Sequence, residues 1–226
     1  MKFLLTSGGI SNTSIHDALV DLLRKPIAES SALCIPTAIY TIPGGARSAW
    51  KLINGVAATP LCELGWQSLG VLELTALPSG DGDVWVPLVQ ETDALLVGAG
   101  DPLYLYRWMR QSGLADLLPS LRETVWVGVS GGSLVMAPTS GRRLSTGIPP
   151  GNDRALGLVN FSLFPHVDHP AMLPCHSMAH AEKWAVGLPV RGYAIDDQTA
   201  ISVVDGAIDV ISEGHWKLFT PGDAEN

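Results

Sequence analysis

The stretch VWVGVSGGSLVMA, residues 125–137, decides the fold. Its first five residues are apolar and predict a buried strand, and the residues after Gly132 predict the first turns of a helix. Between them, residues 128–132 fit the pattern G-x-S-x-G, whose glycines let a strand turn sharply into a helix and hold the serine at a strained, exposed corner. The stretch therefore predicts Ser130 as a nucleophile, with the backbone N–H of Gly131 placed to stabilise an oxyanion.

Glycine-rich turns between a strand and a helix have two other uses, which are phosphate binding and close packing. A phosphate-binding loop would carry a lysine or a longer glycine run at this point, and the sequence has neither. A nucleophile is thus the favoured interpretation of Ser130, and a small residue in a tight turn is the alternative.

Apolar runs of strand length alternate with amphipathic helical patterns along the first part of the chain. Strands are predicted at residues 2–6, 32–35, 70–74, 94–97 and 125–129. Helices are predicted at residues 15–24, 46–56, 103–111 and 114–121. This alternation is typical of a mostly parallel sheet covered by helices.

The last third of the chain has a different pattern, with three short strands predicted close together at residues 193–195, 200–204 and 207–211. Asp205-Gly206 is a hairpin signal between the last two, so we expect antiparallel strands at that edge of the sheet. The pair Asp196-Asp197 is interpreted as turn residues, and a contact with a substrate amine is the alternative.

Composition limits the class of protein and of partner. With 226 residues, 46% of them hydrophobic, the chain predicts one domain over residues 1–226. A net charge of -8, with no basic cluster beyond Arg142-Arg143, argues against nucleic acid and anionic membranes as partners. The apolar start ends at Leu5 and no run is long enough to span a bilayer, which predicts a cytoplasmic protein.

The cysteines and the clustered histidines do not predict a metal site or a disulfide. The three cysteines lie far apart in the sequence, at Cys34, Cys62 and Cys175, and we interpret them as buried thiols. His176 and His180, which follow His169, have the i, i+4 spacing of a helical zinc pair, but no H-E-x-x-H motif surrounds them.

A nucleophilic serine needs a base, and the informative segment is LGLVNFSLFPHVDHP, residues 156–170. It runs from apolar residues into Pro165-His166, so His166 should emerge at the end of an extended element, whereas His16 and His215 are interpreted as surface or capping residues.

A second glycine-rich strand end, VGAGD at residues 97–101, precedes Pro102 at a plausible first helical position. Gly100 in this segment is the candidate for a second oxyanion donor.

The order of GAGD (98–101), GVSGGS (128–133) and LGLVNFSLFPH (156–166) resembles peptidase family S51, the group of peptidase E and cyanophycinase. The resemblance extends from LLTSGG near the start to YAIDDQTAI near the end. It implies the class I glutamine amidotransferase-like fold, a three-layer α/β/α sandwich with a mostly parallel sheet. It also implies that Ser130 is the nucleophile, that His166 is the general base, and that the N–H groups of Gly100 and Gly131 form the oxyanion hole.

The reaction implied by the resemblance is hydrolysis of short peptides, in the manner of a dipeptidase, through an acyl-enzyme and without a cofactor. Family members usually carry alanine where Gly131 stands, a change that we expect to be conservative because only the N–H is required. The arginine by which peptidase E recognises an N-terminal aspartate falls near His180, so strict Asp-X specificity is not expected. Arg142, Arg143 and Arg154 are candidates to replace that charge.

The acid that would orient the base is not fixed by the resemblance. The family position aligns near Ser145, which is not an acid, and Asp153 is the only carboxylate between Ser130 and His166. Asp168 is favoured over Asp153, because the H-x-E spacing of the related amidotransferases would place His166 and Asp168 on one face of a strand.

Two other function classes stay open. An esterase of the α/β-hydrolase type also uses G-x-S-x-G, but its histidine comes late in the chain and would have to be His215. The second class is a non-catalytic homologue that binds a small molecule, because the acid of the catalytic triad is missing near Ser145. In every case we expect a small partner, a short peptide in the favoured case, and a homodimer is an open alternative to a monomer.

Overall fold

The computed structural model of the protein describes residues 1–139 and 153–221, which form ten strands and seven α-helices. The strands are β1 (Lys2–Thr6), β2 (Ser31–Ile35), β3 (Ser68–Val71), β4 (Ala94–Val97), β5 (Val125–Val129), β6 (Phe161–Phe164), β7 (Arg191–Ile195), β8 (Thr199–Val204), β9 (Ala207–Ser212) and β10 (Trp216–Phe219). The helices are α1 (Thr13–Leu23), α2 (Gly45–Ile53), α3 (Gly82–Glu91), α4 (Pro102–Gln111), α5 (Leu114–Leu117), α6 (Gly131–Leu134) and α7 (Met178–Ala185). Within these ranges no helix has both the length and the apolar character to cross a bilayer.

The main sheet has seven strands in the order β3-β2-β4-β5-β1-β8-β9. The first five of these are parallel to their neighbours, and β8 and β9 are antiparallel additions at the β1 edge. Asp205 and Gly206 join β8 to β9 with φ values of 50° and 83°, the left-handed pair that a tight hairpin needs. The predicted mostly parallel sheet and its antiparallel edge hairpin are confirmed.

The strand sequences explain why helices cover both faces of the sheet. Successive side chains in a strand point to opposite faces, and in β4 Leu95 and Val97 join one buried cluster while Ala94 and Leu96 join the other. Helices α1 and α2 cover the second cluster, and α3, α4 and α5 cover the first. The result is the three-layer α/β/α arrangement that the resemblance implies.

A second sheet of three strands, in the order β10-β7-β6, departs from the prediction. The residues of β7 were expected in the antiparallel edge of the main sheet, but β7 pairs in parallel with β6 and antiparallel with β10. The buried rings of Phe161 and Tyr193, 5.2 Å apart, pack these strands together. This sheet matters for the site because the chain leaves β6 two residues before His166.

The cysteines are only partly as expected. Cys34 and Cys62 are buried, whereas Cys175 is exposed, which corrects the interpretation of all three as buried thiols. A hydrogen bond with Cys62 and burial raise the pKa of Cys34 far above its ordinary value, and the nearby charge of Glu73 adds to the effect.

Candidate active site

Ser130 occupies the corner between β5 and α6, at the carboxyl end of the main sheet. Its φ of 50° and ψ of -106° lie in a region that residues with a side chain rarely adopt, at a cost of about 1–3 kcal/mol. Hydrogen bonds hold it there: Ser130 N donates to Thr6 O over 3.0 Å, and Ser133 N and Leu134 N donate to Ser130 O over 2.9 Å. The strained corner predicted from G-x-S-x-G is therefore present in the backbone.

The glycines of the corner are required by close approach of two strand ends. A Cβ at Gly131 would fall well inside van der Waals contact with the carbonyl of Gly100, and a Cβ at Gly132 would do the same with the carbonyl of Val97. The expectation that glycine and alanine are equivalent at Gly131 is therefore corrected, because an alanine here would have to push the Gly100 segment away.

The backbone N–H groups of Gly100 and Gly131 lie on adjacent segments. A Cβ built on Gly131 would be 3.1 Å from Gly100 N, and neither N–H donates to another described residue. Gly100 has a φ of 128°, which only glycine adopts readily. Two backbone donors beside a candidate nucleophile are the arrangement that can stabilise the negative oxygen of a tetrahedral intermediate.

His166 is held in one orientation by three short contacts. Its backbone N–H donates to Ser7 Oγ over 2.7 Å. Its ring nitrogen Nδ1 lies 2.7 Å from Asp197 Oδ1 and 3.2 Å from Ser7 Oγ. Since a carboxylate can only accept, Nδ1 carries the proton of the neutral ring and Nε2 keeps its lone pair. Among the described residues His166 Nε2 has no hydrogen-bond partner, so this nitrogen of the neutral ring is placed to accept a proton.

Asp197 lies in the turn between β7 and β8 and faces His166. Ser7 Oγ donates to Asp197 Oδ1 over 2.7 Å, and His169 Nε2 lies 3.6 Å from Oδ2. Burial alone would raise the pKa of Asp197, but hydrogen bonds from His166 and Ser7 and the imidazoles of His166 and His169 outweigh it. The pKa of Asp197 is therefore below its ordinary value, and the carboxylate is charged at neutral pH.

Ser7 contacts His166 and Asp197 and lies at the same edge of the main sheet as Ser130. Thr6 is the register partner of Val129 in the β1–β5 pair, so Ser7 and Ser130 are the residues that follow these partners at the same edge of the sheet. Ser7 is fully buried. Ser130 Oγ makes no hydrogen bond to another described residue, His166 included, which is common in unliganded active sites where the serine–histidine bond tightens only around substrate.

Asp168 does not have the contacts that the sequence predicts for it. His166 and Asp168 have φ values of 60° and 55°, so this segment is not a strand and gives the two residues no common strand face. Asp168 Oδ1 accepts from Met178 N over 3.0 Å at the start of α7, and Oδ2 lies 3.1 Å from His215 Nε2. Asp168 therefore supports the loop after His166, and the carboxylate that contacts His166 is Asp197.

In the part of the chain that the structure describes, the other acid and base candidates form no hydrogen bond or ion pair with His166 or Asp197. Asp153 is buried, and its Oδ2 has no hydrogen-bond partner among the described residues. His215 has Nδ1 3.0 Å from Asp196 and Nε2 3.1 Å from Asp168, so both of its nitrogens face carboxylates. His16 is exposed on α1, 3.3 Å from Asp17.

The clustered histidines form separate contacts. His176 Nδ1 lies 3.0 Å from Pro165 O, and His180 Nδ1 lies 3.2 Å from Ser177 Oγ at the start of α7. Across residues 1–139 and 153–221, no group of three or more His, Cys, Asp or Glu side chains is arranged to hold a metal ion.

Of the arginines that are candidates to recognise an acidic substrate, Arg154 is exposed. Arg142 and Arg143, together with Ser145 and the predicted loop 147–151, lie outside the described residues.

Sequence reasoning missed Ser7 and the contact between Asp197 and His166, although it placed Asp197 correctly in a turn. Ser7 lies in TSGG directly after β1, and a polar residue with two glycines after a central parallel strand is a signal for a site at that sheet edge. Asp197 was interpreted as a turn residue because paired acids before a strand usually are. A Cβ on Gly8 would come within 2.8 Å of Asp197 Cβ, so the glycine after Ser7 is what lets this turn approach β1.

Comparisons with known proteins agree on the fold. The sequence profile of peptidase family S51 matches residues 3–211. The solved structure of a peptidase from an acI-B1 Actinobacterium is similar with a TM-score of 0.68 and 20% identity, over 98% of this chain and 95% of that chain. A candidate peptidase E protein from Listeria monocytogenes EGD-e is similar with a TM-score of 0.64 and 15% identity, over 94% and 98%. No curated protein sequence matches the chain.

Proposed function

Because the chain belongs to peptidase family S51, we propose that it is a serine peptidase that hydrolyses short peptides in the manner of a dipeptidase. The observation that carries this proposal is the short contact between His166 Nδ1 and Asp197 Oδ1, at the sheet edge where Ser130 forms a strained corner. An oriented, neutral imidazole with a free Nε2 is what activation of a serine hydroxyl needs.

In the acylation step, Ser130 Oγ attacks the carbonyl carbon of the peptide while His166 Nε2 takes the hydroxyl proton. The carbonyl oxygen becomes an oxyanion, which the N–H groups of Gly100 and Gly131 stabilise. The ionised Asp197 stabilises the imidazolium that forms on His166 and keeps the ring in one tautomer. A general base is worth about 10²- to 10⁴-fold in rate, and one oxyanion donor about 10²- to 10³-fold.

Acylation is completed when the tetrahedral intermediate collapses, the carbon–nitrogen bond breaks and His166 gives its proton to the leaving amine, which leaves the acyl-enzyme. A water molecule then attacks the acyl-enzyme, with His166 Nε2 taking a proton from the water, and the acid product leaves as Ser130 recovers its hydroxyl proton. Apart from the attacking water, this proposed cycle uses only groups of the chain itself.

The two alternatives to a serine peptidase have less support. The non-catalytic alternative rested on a missing acid, and Asp197 provides a carboxylate 2.7 Å from His166. The esterase alternative required His215 as base, but both nitrogens of His215 face carboxylates. An imidazole in that position has no nitrogen left to accept a serine proton.

We further propose that Asp-X dipeptides are not uniquely preferred, because His180 stands near the position of the aspartate-recognising arginine. The test is hydrolysis of a dipeptide panel by the wild-type protein and by Ser130→Ala, with a p-nitrophenyl ester and a long peptide as controls. The proposal expects turnover of dipeptides above that of the long peptide, and its loss in Ser130→Ala. Turnover of the ester alone would favour an esterase, and exclusive cleavage of Asp-X would contradict relaxed specificity.

A further inference from the structure

A cavity of about 270 Å³ adjoins both segments that carry the proposed oxyanion donors. Gly98 and Ala99 line it directly before Gly100, and Val129 lines it directly before Ser130. The opposite wall comes from α2 and from the segment that follows it. Two walls of the cavity are therefore formed by residues that directly precede Gly100 and Ser130 in the chain.

The wall of the cavity is mainly aliphatic. Ile39, Leu52 and Val129 contribute buried apolar side chains, while Ser48 contributes a hydroxyl. Lys51 is the one charged residue among the described lining residues; it is exposed and forms no ion pair with a described carboxylate. Such a cavity favours an uncharged aliphatic group of a ligand, while the ammonium group of Lys51 stays in solvent.

The strand order fixes which half of a substrate would reach this cavity. His166 is held from the β1–β8 side of Ser130, by Ser7 after β1 and Asp197 before β8. The cavity lies on the other side, at the ends of β4 and β5. Since His166 must protonate the leaving amine, this arrangement places the leaving residue on the β1–β8 side and the acyl residue on the cavity side. His180 does not line the cavity, so this placement differs from the aspartate recognition that peptidase E makes with its arginine.

We propose that this cavity binds the side chain of the acyl residue, the N-terminal residue of a dipeptide, and selects an aliphatic side chain such as that of Leu or Met over that of Asp. The inference rests on the proposed peptidase function and adds the chemical class of its substrate. The catalytic steps do not require this selectivity for an aliphatic side chain, so the shape and lining of the cavity are its only support beyond the proposed function.

Magnitudes favour the aliphatic side chain over an acidic one. Each methylene removed from water is worth about fourfold in binding, so three more carbons in Leu than in Ala give a preference of about tenfold or more. An ion pair with an exposed lysine is worth about fivefold at most. The cavity should thus rank Leu-Ala and Met-Ala above Ala-Ala, and Ala-Ala near or above Asp-Ala.

The test compares kcat/KM for these four dipeptides in wild type, Ser48→Leu and Arg47→Leu. Ser48→Leu fills the cavity from α2, and we expect its loss on Leu-Ala to be at least about tenfold larger than its loss on Ala-Ala. Arg47 is the neighbouring exposed residue on the same helix and does not line the cavity, so Arg47→Leu should keep the wild-type ranking. Lys51→Met should change Leu-Ala turnover by less than about fivefold.

Binding separates this inference from the proposed function. Calorimetry with Ser130→Ala measures the affinity for Leu-Ala without turnover, and Ser48→Leu added to Ser130→Ala should weaken it by about tenfold or more. Affinity that is undetectable, or unchanged by Ser48→Leu, overturns the inference even if the protein is an active peptidase. A preference for Asp-Ala that Lys51→Met abolishes overturns it as well.

Discussion

His166 Nδ1 lies 2.7 Å from Asp197 Oδ1, and the hydroxyl of Ser7 contacts both groups. The three residues come from the end of β1, the segment after β6 and the turn before β8, so they meet only because the two sheets come together at this edge. The orientation of the His166 ring therefore depends on tertiary structure. The contacts from Asp197 and from Ser7 can each be removed by a separate substitution.

Removing the Asp197 charge tests which acid serves the base. Asp197→Asn should lower kcat/KM by at least about hundredfold, because the imidazolium loses its counter-charge and the ring its fixed tautomer. Asp168→Asn should cost less than about tenfold, since Asp168 contacts Met178 N and His215 and not His166. Steady-state kinetics of both variants, with circular dichroism to check folding, make the comparison, and the reverse ranking would return the role to Asp168.

The hydroxyl of Ser7 should matter through His166 and Asp197. Hydrogen bonds to charged groups are worth about 1.5–3 kcal/mol, so Ser7→Ala should reduce kcat by about 10- to 100-fold while KM changes little. Ser11→Ala is the matched control, because Ser11 Oγ donates to the main-chain oxygen of Asp197 over 2.6 Å and does not contact its carboxylate. Equal losses in the two variants would mean that Ser7 only supports the Asp197 turn.

The lowered pKa of Asp197 predicts a pH dependence of stability. As the pH falls, the unfolded chain takes up the proton at about pH 4, before the folded protein does. The contribution of the Asp197 charge is therefore present above that pH and is lost as the pH falls through the lower pKa of the folded state. Urea unfolding from pH 5 downwards should show the difference between wild type and Asp197→Asn shrinking, and a growing difference would contradict the assignment.

Thiol labelling tests the burial of the cysteines. Iodoacetamide should modify only Cys175 in the native protein, because Cys34 and Cys62 are buried and the raised pKa of Cys34 keeps its thiol protonated. Mass spectrometry should find one label on the native protein and three after unfolding in guanidinium. Labelling of Cys34 in the native protein would show that this part of the core is open.

Much of the main sheet could be predicted from the sequence because its signals are local. The strand at Val125–Val129 and the corner at Ser130 are encoded by a continuous apolar run followed by glycines, and Asp205-Gly206 encodes a hairpin by its own backbone preference. Helix α3 was missed because Pro87 interrupts its pattern. The pairing of β6 with β7 depends on long-range contacts, for which a single sequence carries no local signal.

The geometry of the candidate site could be predicted only in part for the same reason. Ser130 and His166 stand in recognisable local patterns, whereas the contact between Asp197 and His166 depends on the three-dimensional path of the chain. The spacing of His166 and Asp168 suggested a common strand face, but both residues have positive φ and the chain turns there. Asp197 reaches His166 from 31 residues away, and no spacing rule connects them.

The most direct test of the account is covalent labelling of the proposed nucleophile. A fluorophosphonate probe should modify the wild-type protein once, and mass spectrometry of its peptides should place the label on Ser130. Ser130→Ala should lose both the label and dipeptide hydrolysis, whereas Ser120→Ala, which removes an exposed hydroxyl elsewhere, should keep both. A label on another residue, or undiminished hydrolysis by Ser130→Ala, would contradict the claim that Ser130 is the nucleophile.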